Sequence, residues 1–256
     1  MPHKDWTKGD DGSWSFGAIG RDFDEHVRRH LPGYEQITQL AVSAAMWNTY
    51  QGARVLDVGC ATGQTLGLLA GRSPHVFEGL GVDVEPKMVK MSNERFGRIN
   101  DRDRAQLTAV CEDSSLWAPA EKMDVVLSLF GLQFIPTPKR WDALALIADS
   151  LAPGGLFILA EKTMPQSPRG ADLHAGLYSD WKLQNGVEPE EVVAKWSSIR
   201  GQLIPWHAHV YESWAARCGL QGDLIWCWGP FRAWAWWAPE SSQRTQGLHA
   251  DAARNA

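Results

Sequence analysis

The sequence predicts an α/β fold: a doubly wound, mostly parallel seven-stranded sheet with an antiparallel C-terminal hairpin and an inserted helical lid. Three observations lead there. Short apolar runs alternate with segments of helical period five times between about residues 54 and 161, the pattern of a parallel sheet covered on both faces. The first run breaks at a loop with glycines four apart, Gly59 and Gly63, and the second ends on an acid, Asp83. In such sheets ligands sit outside the carboxyl ends of the strands.

At 256 residues the chain fits one such domain with elaborations. Boundaries are expected at a flexible N-terminal segment, 1–20, a ligand-binding domain, 21–238, and a flexible tail, 239–256. The net charge of −5 and the lack of a basic run argue against capture of a nucleic-acid backbone. Cys60, Cys111, Cys218 and Cys227 lie far apart with no zinc spacing, so reduced thiols in a cytoplasmic protein and no metal are expected. The polar, Gly-rich first 20 residues lack a signal-peptide core, and no run approaches 18 apolar residues, so no membrane span is expected.

Taken in order, Ile37, Leu40, Ala41, Ala44 and Trp47 follow helical spacing and predict a helix over Tyr34–Thr49, opened by Pro32-Gly33. Val55, Leu56 and Val58 suit a strand buried on both faces. Gly59 and Gly63 then allow a tight turn, and a helix from Gln64 aims its free N–H groups at whatever lies over the loop. Val76–Asp83 reads as the second strand. Asp83 falls 26 residues after Asp57, about one βαβ step, where a carboxylate can accept both hydroxyls of a ribose. Pro86–Phe96 is a helix with Met88, Val89 and Phe96 inward. Leu107–Cys111, the run from Asp124 and Leu156–Glu161 complete the parallel strands, with a helix marked by Trp141, Leu144, Ile147 and Leu151 before the last. Residues 163 to about 205 depart from the βα alternation and read as the lid, carrying His174, Tyr178, Trp181, Lys195, Trp196 and Arg200. Val210–Cys218 is a further helix, and Asp223–Trp228 with Phe231–Trp237 form the hairpin around Gly229-Pro230. Of 14 Trp, five fall between Trp226 and Trp237, which means buried area, an interface or a flat aromatic pocket.

The glycines of the loop do not match the G-x-G-x-x-G dinucleotide fingerprint. Asp57-x-Gly59-x-x-x-Gly63 instead resembles motif I of the class I S-adenosylmethionine-dependent methyltransferases. That resemblance implies S-adenosylmethionine as cofactor, with Asp57 orienting its amino-acid end, loop residues Gly59, Cys60, Ala61 and Gly63 cradling it with Met88, and Asp113 and Ser114 at the adenine. Within the class, Leu31-Pro-Gly-Tyr34, Gly131-Leu-Gln-Phe134, Glu161-Lys162 and Lys182-x-x-Asn185-Gly186 look like the carboxy-S-adenosylmethionine synthase family. Carried over by position, Tyr34, Asp83, Val84, Asp113, Ser114 and Leu129 surround the cofactor, and a homodimer is implied. One position departs from the pattern: where that family places an Arg after Lys195 to grip the extra carboxylate, this chain has Trp196. A buried carboxylate without a cationic partner is costly, so plain S-adenosylmethionine is expected, with Arg200 as a possible rescue one helical turn on.

Methyl transfer needs alignment and removal of water more than dedicated catalytic groups. Tyr34, His174 and Tyr178 are the candidate catalytic residues, and Trp181, Trp196 and Arg200 the candidate substrate contacts, for a small planar or heteroaromatic methyl acceptor of secondary metabolism. Two rivals stay open: the carboxyl-transfer synthase, and a non-catalytic protein that binds S-adenosylmethionine.

Overall fold

The computed structural model describes residues 22–100 and 105–240, so the segments expected to be flexible, 1–20 and most of 239–256, lie outside the described residues. Helices α1 (Phe23–His30) and α2 (Tyr34–Met46) precede β1 (Arg54–Val58), α3 (Gln64–Arg72), β2 (Glu78–Asp83), α4 (Pro86–Asn100) and β3 (Gln106–Cys111). Then follow β4 (Met123–Leu129), α5 (Thr137–Ser150), β5 (Leu151–Met164), α6 (Pro168–Gln184) and α7 (Pro189–Ser198). Strand β6 (Trp206–His207), α8 (Ala208–Arg217), β7 (Gln221–Trp228) and β8 (Phe231–Trp237) close the chain.

The sheet has eight strands rather than seven. Its order is β3-β2-β1-β4-β5-β8-β7, and the short β6 pairs with the end of β5. Strands β1 to β5 run parallel, while β8 is antiparallel to both β5 and β7. Because strand order reverses between β1 and β4, a crevice opens at their carboxyl ends.

Side chains alternate across the sheet and build a core on each face. Val55, Val125, Leu127, Leu156 and Ile158 meet Val42 of α2, Leu69 of α3 and Phe96 of α4. Leu56, Val126, Phe157 and Leu159 meet Leu144 and Ile147 of α5 and Trp214 of α8. Around β1, β4 and β5 both sheet faces are therefore dry, which is why those strands read as largely apolar runs, whereas β3 and β7 keep exposed residues.

Most of the tryptophan is structural. Trp234 and Trp236 stack with centroids 5.5 Å apart in the second of these cores, and Trp234 donates its indole N–H to Glu212 at 3.1 Å. The sequence expectations miss α1, whose only buried side chains are Phe23 and His30. They also stop β5 too early: it runs on through Thr163 because Thr163 N donates to Pro230 O at 2.7 Å.

Candidate active site

A cavity of about 460 Å³ lies over the carboxyl ends of β1, β2 and β4. Its floor is the loop after β1. Gly59 N and Cys60 N both donate to Val82 O, at 2.8 and 3.1 Å, which lashes the loop to β2. The loop also packs on the backbone after β4: a Cβ on Gly59 would lie 3.3 Å from Gly131 Cα, and one on Gly131 3.3 Å from Val58 O. Gly63 has φ +72°, and a Cβ there would sit 2.6 Å from the Phe96 ring. These contacts, rather than turn flexibility alone, are why glycine occupies each position.

Two acids face this floor. Asp57 is buried, and its Oδ2 has no hydrogen-bond partner among the described residues. Burial, with a smaller contribution from the Asp83 charge, pushes its carboxyl up to about 7. Asp83 accepts from Ala61 N and from Glu85 N, each at 2.9 Å. Its burial raises the carboxyl and those N–H groups pull it back. On the third wall, Asp113 accepts from Ser115 N and Oγ, at 2.9 and 2.6 Å, which hold its carboxyl below the usual range. Non-glycine residues Ala61 and Phe130 adopt positive φ, +46° and +63°, beside the cavity.

Of the residues singled out from sequence, Tyr34, Asp57, Gly59, Cys60, Ala61 and Asp83 line the cavity, as do Val84, Met88, Asp113, Ser114, Leu129 and Tyr178. Gly63 stands just behind the wall, against Phe96. His174, Trp181, Trp196 and Arg200 do not line it. Trp181 packs edge-on against Trp228 at 6.1 Å, Trp196 is exposed on α7, and Arg200 is exposed beyond the end of that helix. One helical turn therefore does not bring Arg200 to the site, and the aromatic wall is made by Tyr34, Phe130, Tyr178 and Phe231 in place of Trp. Tyr178 is also committed structurally, its hydroxyl donating to His30 O at 2.6 Å. Burial raises the hydroxyls of Tyr34 and Tyr178 well above their ordinary value, so both stay protonated at neutral pH.

Helix α1 forms the roof. Asp24 ties it to the floor, accepting from Thr62 Oγ1 at 2.5 Å and from Arg95 at 2.7 Å. Arg29 donates to Gly186 O at 2.6 Å, and Asn185 donates to Arg28 O and Arg29 O, which clamps the turn between α6 and α7. His30 Nε2 meets Glu191 Oε1 at 2.9 Å, and Lys195 Nζ sits 3.1 Å from His26 Nε2. Burial drives His26 down to about 2 and His30 to about 3, with neighbouring cations adding to it.

His26, His30 and Glu191 bring ligand-type atoms within 4.8 Å of one another, a grouping that the sequence expectation of no metal overlooked. Lys195, Arg29 and Lys182 all act on these imidazoles, and a field of that sign opposes a divalent cation. Lys162, on the β5 end, and Lys195 complete the lid side of the cavity.

A buried acid beside a glycine loop, a second acid one βαβ step on and a third wall after β3 are the arrangement that the resemblance to the class I S-adenosylmethionine-dependent methyltransferases leads one to expect around the cofactor. Residues 55–155 match the model of a methyltransferase domain family. Carboxy-S-adenosyl-L-methionine synthase of Chromohalobacter salexigens is 31% identical over 185 residues, 72% of this chain and 67% of that protein. The protein of the same name from Geobacter sp. (strain M21) is 28% identical over 206 residues, 80% of this chain and 83% of its own. Among solved structures, magnesium protoporphyrin IX methyltransferase from Synechocystis PCC 6803 with bound SAM shares the fold, with TM-score 0.58 at 14% identity over 92% of this chain and 94% of that one. The chain belongs to the class I S-adenosylmethionine-dependent methyltransferases, in the family that holds the carboxy-S-adenosyl-L-methionine synthases.

Proposed function

We propose that this enzyme transfers a methyl group from S-adenosylmethionine to a small planar acceptor in secondary metabolism. The observation that supports it is the pairing of Asp57 and Asp83 in one cavity: the unpartnered Oδ2 of Asp57 fits a cationic amino group, and Asp83 retains acceptor capacity for ribose hydroxyls. The residues present thus fit the cofactor. Asp57 and the Gly59–Ala61 backbone would hold its amino-acid end, Asp83 and Val84 its ribose, Asp113 and Ser114 its adenine, with Tyr34, Met88 and Leu129 enclosing it. When bound, S-adenosylmethionine supplies an electrophilic methyl group on a positively charged sulfur. The protein contributes alignment and a dry wall, worth about 7–11 kcal/mol at best. Tyr34 and Tyr178, protonated, act as hydrogen-bond donors or as pins rather than as bases.

Calorimetry with S-adenosylmethionine and S-adenosylhomocysteine tests the cofactor, and release of S-adenosylhomocysteine across an acceptor panel tests the chemistry. Binding without turnover on any acceptor would point to a non-catalytic role. Identity to proteins named carboxy-S-adenosyl-L-methionine synthase favours carboxyl transfer as a second reading. Adding prephenate separates the two: phenylpyruvate and a carboxylated sulfonium in the mass spectrum would establish the synthase. We further propose a homodimer through the exposed apolar residues of the lid, Leu173, Val193 and Trp196, in a cytoplasm whose reducing state suits four free cysteines. Among the described residues no helix is long and apolar enough to cross a membrane.

A further inference from the structure

We propose that Gln64 is a further ligand of the cofactor, its side-chain oxygen accepting a hydrogen bond from the α-ammonium of the amino-acid end. This inference rests on the S-adenosylmethionine reading. Gln64 stands one residue past the Asp57-to-Gly63 motif and has no place in the likeness that the motif carries. It is the first residue of α3, directly after the N-cap Gly63 with φ +72°. Side chains of a helix tilt toward its N-terminus, so from this position the amide leans back over the loop that floors the cavity. Gln64 and its neighbour Thr65 both line that cavity.

The amide oxygen is the informative atom. Gln64 is only half-buried as a residue, yet its Oε1 is shut off from solvent and has no hydrogen-bond partner among the described residues. Two cavity-lining side-chain oxygens are orphaned in this way, Asp57 Oδ2 just before the glycine loop and Gln64 Oε1 just after it. Between them Gly63 N donates to Cys60 O at 2.8 Å and closes the loop as a tight turn. The other acids are served from within the chain, Asp83 by Ala61 N and Glu85 N, and Asp113 by Ser115. The unmet acceptors therefore collect where the amino-acid end belongs. A buried acceptor without a donor is costly, and a ligand that brings the donor removes the cost. With the adenine amine at the β3 wall and the ribose hydroxyls at Asp83, the donor left for the loop side is the α-ammonium. It carries three N–H bonds, and a neutral amide adds an acceptor without placing a second negative charge near a carboxyl that burial already raises.

The test is calorimetry on the full chain with four ligands, weak ones being measured by displacement of S-adenosylhomocysteine. They are S-adenosylhomocysteine, its 3-thiopropylamine analogue without the carboxylate, its 4-thiobutyrate analogue without the amino group, and 5′-methylthioadenosine without either. Gln64→Met keeps the length and helix preference of the side chain and removes its oxygen. It should weaken S-adenosylhomocysteine and the thiopropylamine about tenfold, the worth of one hydrogen bond to a charged group, and leave the other two within about twofold. Gln64→Glu keeps an acceptor and should recover most of the loss at pH 8. A loss shared equally by all four ligands, or no loss in any, overturns this proposal and leaves the cofactor assignment standing. A loss confined to the two ligands that carry a carboxylate overturns it as well, because the amide then turns its nitrogen inward. Should Gln64→Met fail to fold, as circular dichroism would show, Gln64→Ala on the same ligands decides. Failure of the unsubstituted chain to bind S-adenosylhomocysteine overturns the cofactor assignment and this proposal with it.

Discussion

The backbone N–H of Ala61 donates to Asp83 Oδ2 across 2.9 Å, so the acid proposed to hold the ribose also fixes the loop proposed to hold the amino-acid end. The two halves of the proposed cofactor site are mechanically one. Removing the carboxylate in Asp83→Ala strips both the ligand contact and the loop's anchor. The expected loss in S-adenosylhomocysteine affinity is about 10–100-fold, from charge-assisted bonds of roughly 1.5–3 kcal/mol. Asp83→Asn keeps an acceptor for Ala61 and should lose less. Calorimetry on both variants checks the order, and equal losses would mean that the loop does not depend on this anchor.

Gly63 is a stability position more than a binding one. Alanine there must adopt φ +72° and push a methyl group to within 2.6 Å of Phe96, a side chain locked in the core by α4. Backbone strain and overpacking together should cost about 2–4 kcal/mol. Urea unfolding of Gly63→Ala reads this directly, and a midpoint unchanged from the parent would show that the loop relaxes around the methyl.

Arg140 holds the cavity's back wall together. Fully buried, it donates to Gln133 O at 2.9 Å, Ile135 O at 2.9 Å and Ile204 O at 2.8 Å, while its guanidinium carbon lies 4.5 Å from the Trp206 ring centroid. The loop after β4 and the return from the lid are thus pinned to α5. Arg140 also offsets part of the burial that drives the Glu161 carboxyl up to about 8. Arg140→Met leaves those carbonyls and that acid uncompensated, at an expected cost of about 3–5 kcal/mol. Arg140→Lys should recover little, since an ammonium cannot span three carbonyls in a fixed fork. Thermal unfolding of the two variants measures both statements.

What the sequence could disclose was whatever is local. Gly59, Gly63 and Asp83 announce themselves because strand, turn and acid are contiguous, and the dry strands β1, β4 and β5 show as mostly apolar runs. Helix α1 was hidden: of its eight residues, FDEHVRRH, four are charged and two are histidine, and its burial comes from partners more than 100 residues away, such as Glu191 at the other end of the lid. Lys162 and Lys182 stand in the sequence only as parts of a resemblance, with no role assigned to them. A lysine ordinarily reads as solvent, and only tertiary packing puts Lys182 at 2% exposure. A signal did exist at Lys162, which alternation along β5 places on the same face as Ile158 and Ala160. Trp181 and Trp196 misled in the opposite sense, because an aromatic residue on a lid helix can as well pack on the hairpin, as Trp181 does on Trp228.

The buried carboxyl of Asp57 should give cofactor binding a pH dependence. Its folded value, about 7, lies above the 3.8 of a free aspartate, so the folded empty protein binds the extra proton between those values. That contribution to stability is complete below about pH 4 and is lost as pH rises to about 7. An amino cation reverses the preference, because it requires the carboxylate. S-Adenosylhomocysteine affinity should therefore fall roughly tenfold for each pH unit below about 7 and level off above it, with proton release on binding near pH 6. Asp57→Asn should bind weakly at every pH and lack this slope. A slope that survives in Asp57→Asn would assign the titration to another group, Asp83 first.

Trp196 separates the binding site from the assembly. It occupies the position where the synthase family places its arginine, yet it is 53% exposed on α7 and outside the cavity of its own chain. Trp196→Ala should accordingly leave S-adenosylhomocysteine affinity within about twofold. Burying one such indole at a dimer interface is worth about 1.5–3 kcal/mol per copy, so the same substitution should weaken self-association by about tenfold or more. Sedimentation equilibrium measures that constant, with Val193→Ser as a second change on the same helix. Unaltered self-association in both variants would place the dimer contact elsewhere. A large loss of S-adenosylhomocysteine affinity together with dissociation would instead mean that the partner subunit completes the site.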